Sequence, residues 1–94
     1  MTYKVRYARR AFGDLDRIFK YIAEHNPHAA RAVKARIKQR IQSLAQFPAS
    51  GPETATAGLR MLSVGRYPYL VFYEIVEASK LVAILHIRHA SRDR

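Results

Sequence analysis

Tyr3-Lys4-Val5-Arg6-Tyr7 alternates apolar and basic residues, the pattern of a strand with one buried face. The period then changes. Ala8, Ala11, Phe12, Leu15, Ile18, Phe19 and Ile22 recur at spacings of three and four. At about 100° per residue they fill a helical face roughly 120° wide. Arg10, Arg17, Tyr21 and Glu24 fall on the other side. Asn26-Pro27 interrupts the pattern, since Asn suits a helix N-cap and Pro the first helical position. A second helix follows with Ala30, Val33, Ile37, Ile41 and Leu44 as its stripe. Arg31 and Lys38 flank that stripe on one side, Arg36 and Arg40 on the other. Two amphipathic helices joined so tightly predict an antiparallel hairpin.

Phe47-Pro48 closes the second helix, and Ala49 to Gly58, rich in Gly, Pro, Ser and Thr, reads as a loop. Leu59 to Val64 predicts a strand, Gly65-Arg66 a turn, and Tyr67 to Val76 a second strand, aromatic and β-branched, with Pro68 at its start. Glu77 to Lys80 is a polar hairpin turn, and Leu81 to Arg88 a last strand. That strand is apolar at odd and even positions up to Leu85, which predicts a central strand covered on both faces. The order β-α-α-β-β-β describes a helical hairpin packed on a mainly antiparallel sheet, an α+β fold, with residues 1–94 forming one domain.

Charge narrows the function. Twelve arginines and five lysines against seven acidic residues give a net charge of +10. Such a field concentrates polyanions, and the excess of Arg favours bidentate recognition of phosphate or carboxylate. With no cysteine, disulfides and thiolate metal sites are excluded. No apolar run approaches the roughly 18 residues of a membrane span, and the N-terminus lacks the apolar core of a signal peptide. A cytoplasmic protein without membrane contact is expected.

Candidate chemistry is sparse. Asp14 and Asp16 lie two apart on a helix and point about 200° away from each other, so they read as solvated surface. His86 and Arg88 share one strand face and His89 takes the other, which separates the imidazoles that a His-x-x-His metal site would need on one side. With Arg92 beyond, they form an electropositive strand end aimed at phosphate or carboxylate, which Arg60 and Arg66 could extend. In a ribonucleolytic reading, Arg60, His86 and Arg88 would supply acid–base and charge-stabilising groups. Tyr67, Tyr69 and Tyr73 offer rings for stacking on bases, although Tyr69 and Tyr73 fit core packing better. No metal and no cofactor is implied.

Taken in order, several short motifs resemble the RelE/ParE superfamily of type II toxin–antitoxin toxins. They are Asp14-Leu15-x-x-Ile18-x-x-Tyr21-Ile22, Asn26-Pro27 with Ala29-Ala30, Phe47-Pro48-x-x-Gly51, Gly58-Leu59-Arg60, Tyr69-Leu70-Val71-Phe72-Tyr73-Glu74 and Ile84-Leu85-His86-Ile87-Arg88-His89. The likeness spans nearly the whole chain and implies the same β-α-α-β-β-β fold. RelE-like members cut mRNA on the ribosome using Lys, Arg and Tyr side chains. This chain has Leu70 where such members carry a catalytic Arg, no Lys between Leu59 and Val64, and no Tyr after Arg88. It is more similar to the ParE branch, which implies poisoning of DNA gyrase without catalysis, and an association with plasmid stabilisation. On that reading the target contact falls to Arg60, Arg88, His89 and Arg92. An mRNA endoribonuclease using Arg60, His86 and Arg88 is the alternative. Either branch implies a cognate acidic antitoxin, for which Arg31, Arg36, Lys38 and Arg40 form a complementary basic rim, with operator DNA bound only through that antitoxin.

Overall fold

A computed structural model describes residues 2–91. The chain forms β1 (Lys4–Tyr7), α1 (Arg9–Ala23), α2 (Pro27–Gln42), β2 (Arg60–Ser63), β3 (Tyr69–Val76) and β4 (Leu81–His89), so the expected order holds. Short 3-10 turns at Ser43–Ala45, Pro48–Ser50 and Glu77–Ser79 complete it. The junction between the helices is set as its residues demand: Asn26 Oδ1 accepts from the Ala29 N–H at 3.0 Å, and Pro27 opens α2. No helix among the described residues is long and apolar enough to cross a membrane.

The sheet order is β1-β4-β3-β2. β1 pairs parallel with β4, and the other two pairings are antiparallel. The helices cover one face. Leu15, Val33, Ile37, Ile41 and Leu44 pack there against Leu62, Val64, Val71, Tyr73, Val82, Ile84 and Ile87. Each such side chain contributes about 1.5–3 kcal/mol by leaving water.

β4 is central, but the helices cover only one of its faces, and Leu81 and Ala83, opposite Val82 and Ile84, lie half-buried on the other. Phe72 pairs with His86 while Tyr73 pairs with Ile84, so Leu85 is an extra residue, a β-bulge. The bulge shifts the side-chain phase by one. Val82 and Ile84 face the helices before it and Ile87 after it, and His86 and Arg88 are thereby turned onto the uncovered face.

β1 ends at Tyr7, opposite Ile84, where the chain turns into α1. β4 runs on to His89, leaving the edge on that side without a strand partner. Asp14 fills the gap: its Oδ2 accepts the buried Ile87 N–H at 2.9 Å. Arg17 pairs with its other oxygen, and Arg10 Nε lies 3.7 Å from Oδ2. Asp14 is only 6% exposed, so the expectation of a solvated carboxylate is corrected. It lies next to Ile18 just beyond one edge of the apolar sector, as Asp16 does beyond the other, and the arginines supply the counter-charge that makes its burial tolerable.

A second fastening holds the loop before β2. The Tyr73 hydroxyl accepts the Gly51 N–H at 2.9 Å and donates to the Pro48 carbonyl at 2.7 Å. A Cβ on Gly51 would stand 2.8 Å from both the Met61 carbonyl oxygen and that hydroxyl, so only glycine fits. Tyr69 and Tyr73 are buried in the core, which removes both rings from base stacking.

Asp14→Ala, which strands the Ile87 N–H, is expected to lower unfolding free energy by about 2–3 kcal/mol in urea titration, with Asp14→Asn recovering part of it through its remaining acceptor. Tyr73→Phe orphans the Gly51 N–H and is expected to cost about 1–3 kcal/mol in the same experiment.

Candidate functional site

The end of β4 carries the chemistry that the sequence singles out. His86 and Phe72 are cross-strand partners on the uncovered face, and their rings stack at 4.5 Å with 9° between planes. The Arg88 guanidinium lies 4.9 Å from the Phe72 centroid. One phenyl ring therefore holds both an imidazole and a guanidinium, and the packed cluster leaves Phe72 only 6% exposed. His86 Nδ1 is buried without a hydrogen-bond partner. Burial depresses its pKa below the ordinary 6.5, Arg10 and Arg88 push the same way, and Asp14 opposes them. His86 is thus a neutral ring at pH 7, not a cation aimed at an anion.

His89 points to the helix side, edge-on to Tyr69 at 5.3 Å, and its Nδ1 accepts the Ser91 N–H at 3.2 Å. Arg92 lies outside the described residues. Arg60 does not extend the patch. It sits opposite Tyr73 on the helix-facing side and donates to the Gly51 carbonyl at 2.7 Å and the Ala49 carbonyl at 3.3 Å. The sheet separates it from His86 and Arg88. Its position on alternate residues with the buried Leu62 was a readable signal for that face.

The basic residues of α2 divide in the same way. Arg40 bridges helix and sheet, donating through Nε and Nη2 to the Ser63 carbonyl at 3.2 and 3.0 Å. Arg31 is exposed. Arg36 donates to Gln39 Oε1 at 3.3 Å and lines a groove of about 660 Å³ with Ala32, Ala35, Gln39, Arg66 and Tyr67. Lys38 lies elsewhere, in a groove of about 560 Å³ with Tyr7, Phe12, Leu15, Asp16 and Lys34. Phe12 stacks on Tyr7 at 5.0 Å yet stays 60% exposed. It belongs to the apolar sector of α1, but the core closes on Ala11 and Leu15 and leaves it at the margin. The four expected residues therefore do not form one rim. Sequence reasoning missed Phe12 and Lys34 as surface features, although the apolar face of α1 was wide enough to suggest an unburied edge. Among the described residues no group of three or more His, Asp or Glu comes together as a metal site requires.

Comparison with known proteins agrees with this architecture. The family model of the ParE toxin of type II toxin–antitoxin system, parDE, matches residues 5–94. The chain is 40% identical over 89 residues to "Toxin RelE2" of Caulobacter vibrioides, covering 95% of this chain and 97% of that one. It is 34% identical over 83 residues to "Putative toxin Y4kP" of Sinorhizobium fredii, covering 88% and 86%. Among solved structures, a chain of the chromosomal ParDE TA system from P. aeruginosa superposes with a TM-score of 0.84 at 22% identity, covering 96% of this chain and 98% of that one.

The His86 ring should titrate below 6.5 by NMR. In the window between its folded value and 6.5 the unfolded chain binds more protons, so stability rises with pH there and is flat on either side as far as this group is concerned. His86→Gln should remove that slope from urea midpoints measured across the window.

Proposed function

The chain belongs to the ParE toxin family of type II toxin–antitoxin systems, and from that membership we propose that it poisons DNA gyrase and is silenced by a cognate acidic antitoxin. A poison of this kind need not cleave anything. It has to bind the enzyme–DNA complex more tightly than the free enzyme, which shifts the population toward the trapped state. The proposed contact is the end of β4, with Arg88 and His89 on opposite faces and the basic tail including Arg92 beyond them. Arg60 is assigned instead to holding the loop through its bonds to Ala49 and Gly51.

The observation that favours a non-catalytic toxin over the mRNA endoribonuclease is the division of the candidate nuclease trio. Arg60 is committed to loop carbonyls on one face, while His86 stacks on Phe72 on the other. A phosphorane needs its acid–base and charge-stabilising groups within hydrogen-bond reach of one phosphate, and these groups diverge.

The antitoxin reading rests on the groove between α1 and α2. Phe12, Tyr7 and Leu15 give it apolar lining, and Lys34 and Lys38 give it positive charge. An amphipathic segment can lay apolar side chains beside Phe12 and turn carboxylates toward the two lysines. Operator DNA would be reached through the antitoxin.

Adding the purified chain to gyrase and supercoiled plasmid is expected to accumulate linear, protein-linked DNA, reduced about tenfold by Arg88→Ala with His89→Ala. Unimpaired supercoiling at large molar excess, with mRNA cut inside translated codons in expressing cells, would overturn this target in favour of the ribosome. Phe12→Asp is expected to weaken antitoxin binding at least a hundredfold in calorimetry while leaving gyrase trapping intact.

A further inference from the structure

The groove between α2 and the β2–β3 turn is not used by either contact proposed above. Its lining is Ala32, Ala35, Arg36, Gln39, Arg66 and Tyr67. The two arginines come from different elements, Arg36 from the exposed face of α2 and Arg66 from the turn after Gly65. Gly65 has φ +92°, and a Cβ placed on it would lie 3.8 Å from Arg36 Nη2, so the turn backbone runs close beside that guanidinium. No carboxylate lines the groove, and among the described residues neither arginine has an ion-pair partner. Tyr67 is half-buried and packs against the core, which steadies its ring at the groove wall. Of the three tyrosines considered for stacking on bases, it is the one the core does not bury. Ala32 and Ala35 keep the helix side of the groove shallow.

We propose that this groove binds single-stranded nucleic acid, with Arg36 and Arg66 on phosphates of the backbone and the Tyr67 ring beneath a base. Two guanidiniums beside an aromatic platform are the parts of a strand-binding groove. A phosphodiester strand uses all three, whereas an acidic peptide uses only the guanidiniums and leaves the ring idle. The volume of about 660 Å³ suits a nucleotide and its flanking phosphate. The site lies away from the Phe12 groove, so an antitoxin seated there would leave it open. The proposal does not depend on gyrase being the target.

The test is fluorescence anisotropy of the purified chain with a labelled short oligothymidylate, at several salt concentrations and without gyrase or antitoxin. The Arg36→Ala, Arg66→Ala double variant should bind at least tenfold more weakly. It should also flatten the slope of log affinity against log salt by roughly 1.4, because two phosphates are no longer neutralised. Tyr67→Leu, which keeps an apolar side chain against the core, should lose about tenfold, and Tyr67→Phe should lose little. Lys4→Ala with Arg6→Ala removes the same charge from the uncovered sheet face and should cost under threefold. Thymidine monophosphate should compete only weakly, and a polyglutamate peptide not at comparable concentration. Equal losses in the two double variants would mean diffuse charge attraction and would overturn the site. Competition by polyglutamate as strong as by unlabelled oligothymidylate would overturn it in favour of an acidic peptide. Mononucleotide competition equal to that of the strand would overturn a strand site in favour of a free-nucleotide site. None of these results bears on gyrase trapping, which its own assay decides.

Discussion

The bond from the Ile87 N–H to the Asp14 carboxylate solves a problem set by the topology. β4 is longer than β1, and the chain leaves β1 for α1 just where the longer strand still has a donor to satisfy. A parallel neighbour could have taken it, at the expense of the helix. Instead the first helix reaches back with a side chain and accepts it, and Arg10 and Arg17 balance the charge from the solvent side. The arrangement fixes α1 against the sheet by direction as well as by apolar contact. It also determines what surrounds His86, because the same carboxylate and the same arginine act on that imidazole in opposite senses.

Much of the architecture was legible because its causes are local. The change from a two-residue to a three- and four-residue period marks the passage from β1 to α1, and Asn26-Pro27 marks the helix junction with its own capping bond. Pro68 precedes β3, as a residue without a ladder donor should. The order of elements follows from these signals without tertiary information. The resemblance to RelE/ParE toxins adds the functional frame, and the matching family model and the relatives support it.

What escaped the sequence depends on partners distant along the chain. Asp14 accepts from a residue 73 positions away, and no local rule distinguishes it from Asp16, which pairs with Lys20 at the surface. β4 is apolar on both faces before the bulge, with Leu81 and Ala83 opposite Val82 and Ile84, although the helices cover only one of those faces. The Leu85 bulge then changes the phase, which no local pattern announced. Arg60 and Arg40 are basic residues spent on carbonyls, Gly51 for the first and Ser63 for the second. Charge counting alone places them with the solvent-facing arginines. The candidate surfaces were correspondingly only half visible: the residues could be named, but not sorted by face.

The parallel pairing of β1 with β4 joins the first strand to the last of the four. During synthesis the helical hairpin can form early from its own short-range contacts, whereas β1 has no neighbour until β4 emerges. Completion of the sheet is therefore postponed to the end of translation of this domain, a cost of long sequence separation. Until then the apolar sides of both helices lack β4, the central strand of the sheet that covers them. A nascent molecule of this kind is incomplete in the very region that carries Arg88 and His89, so that strand end takes its final shape only when the sheet closes.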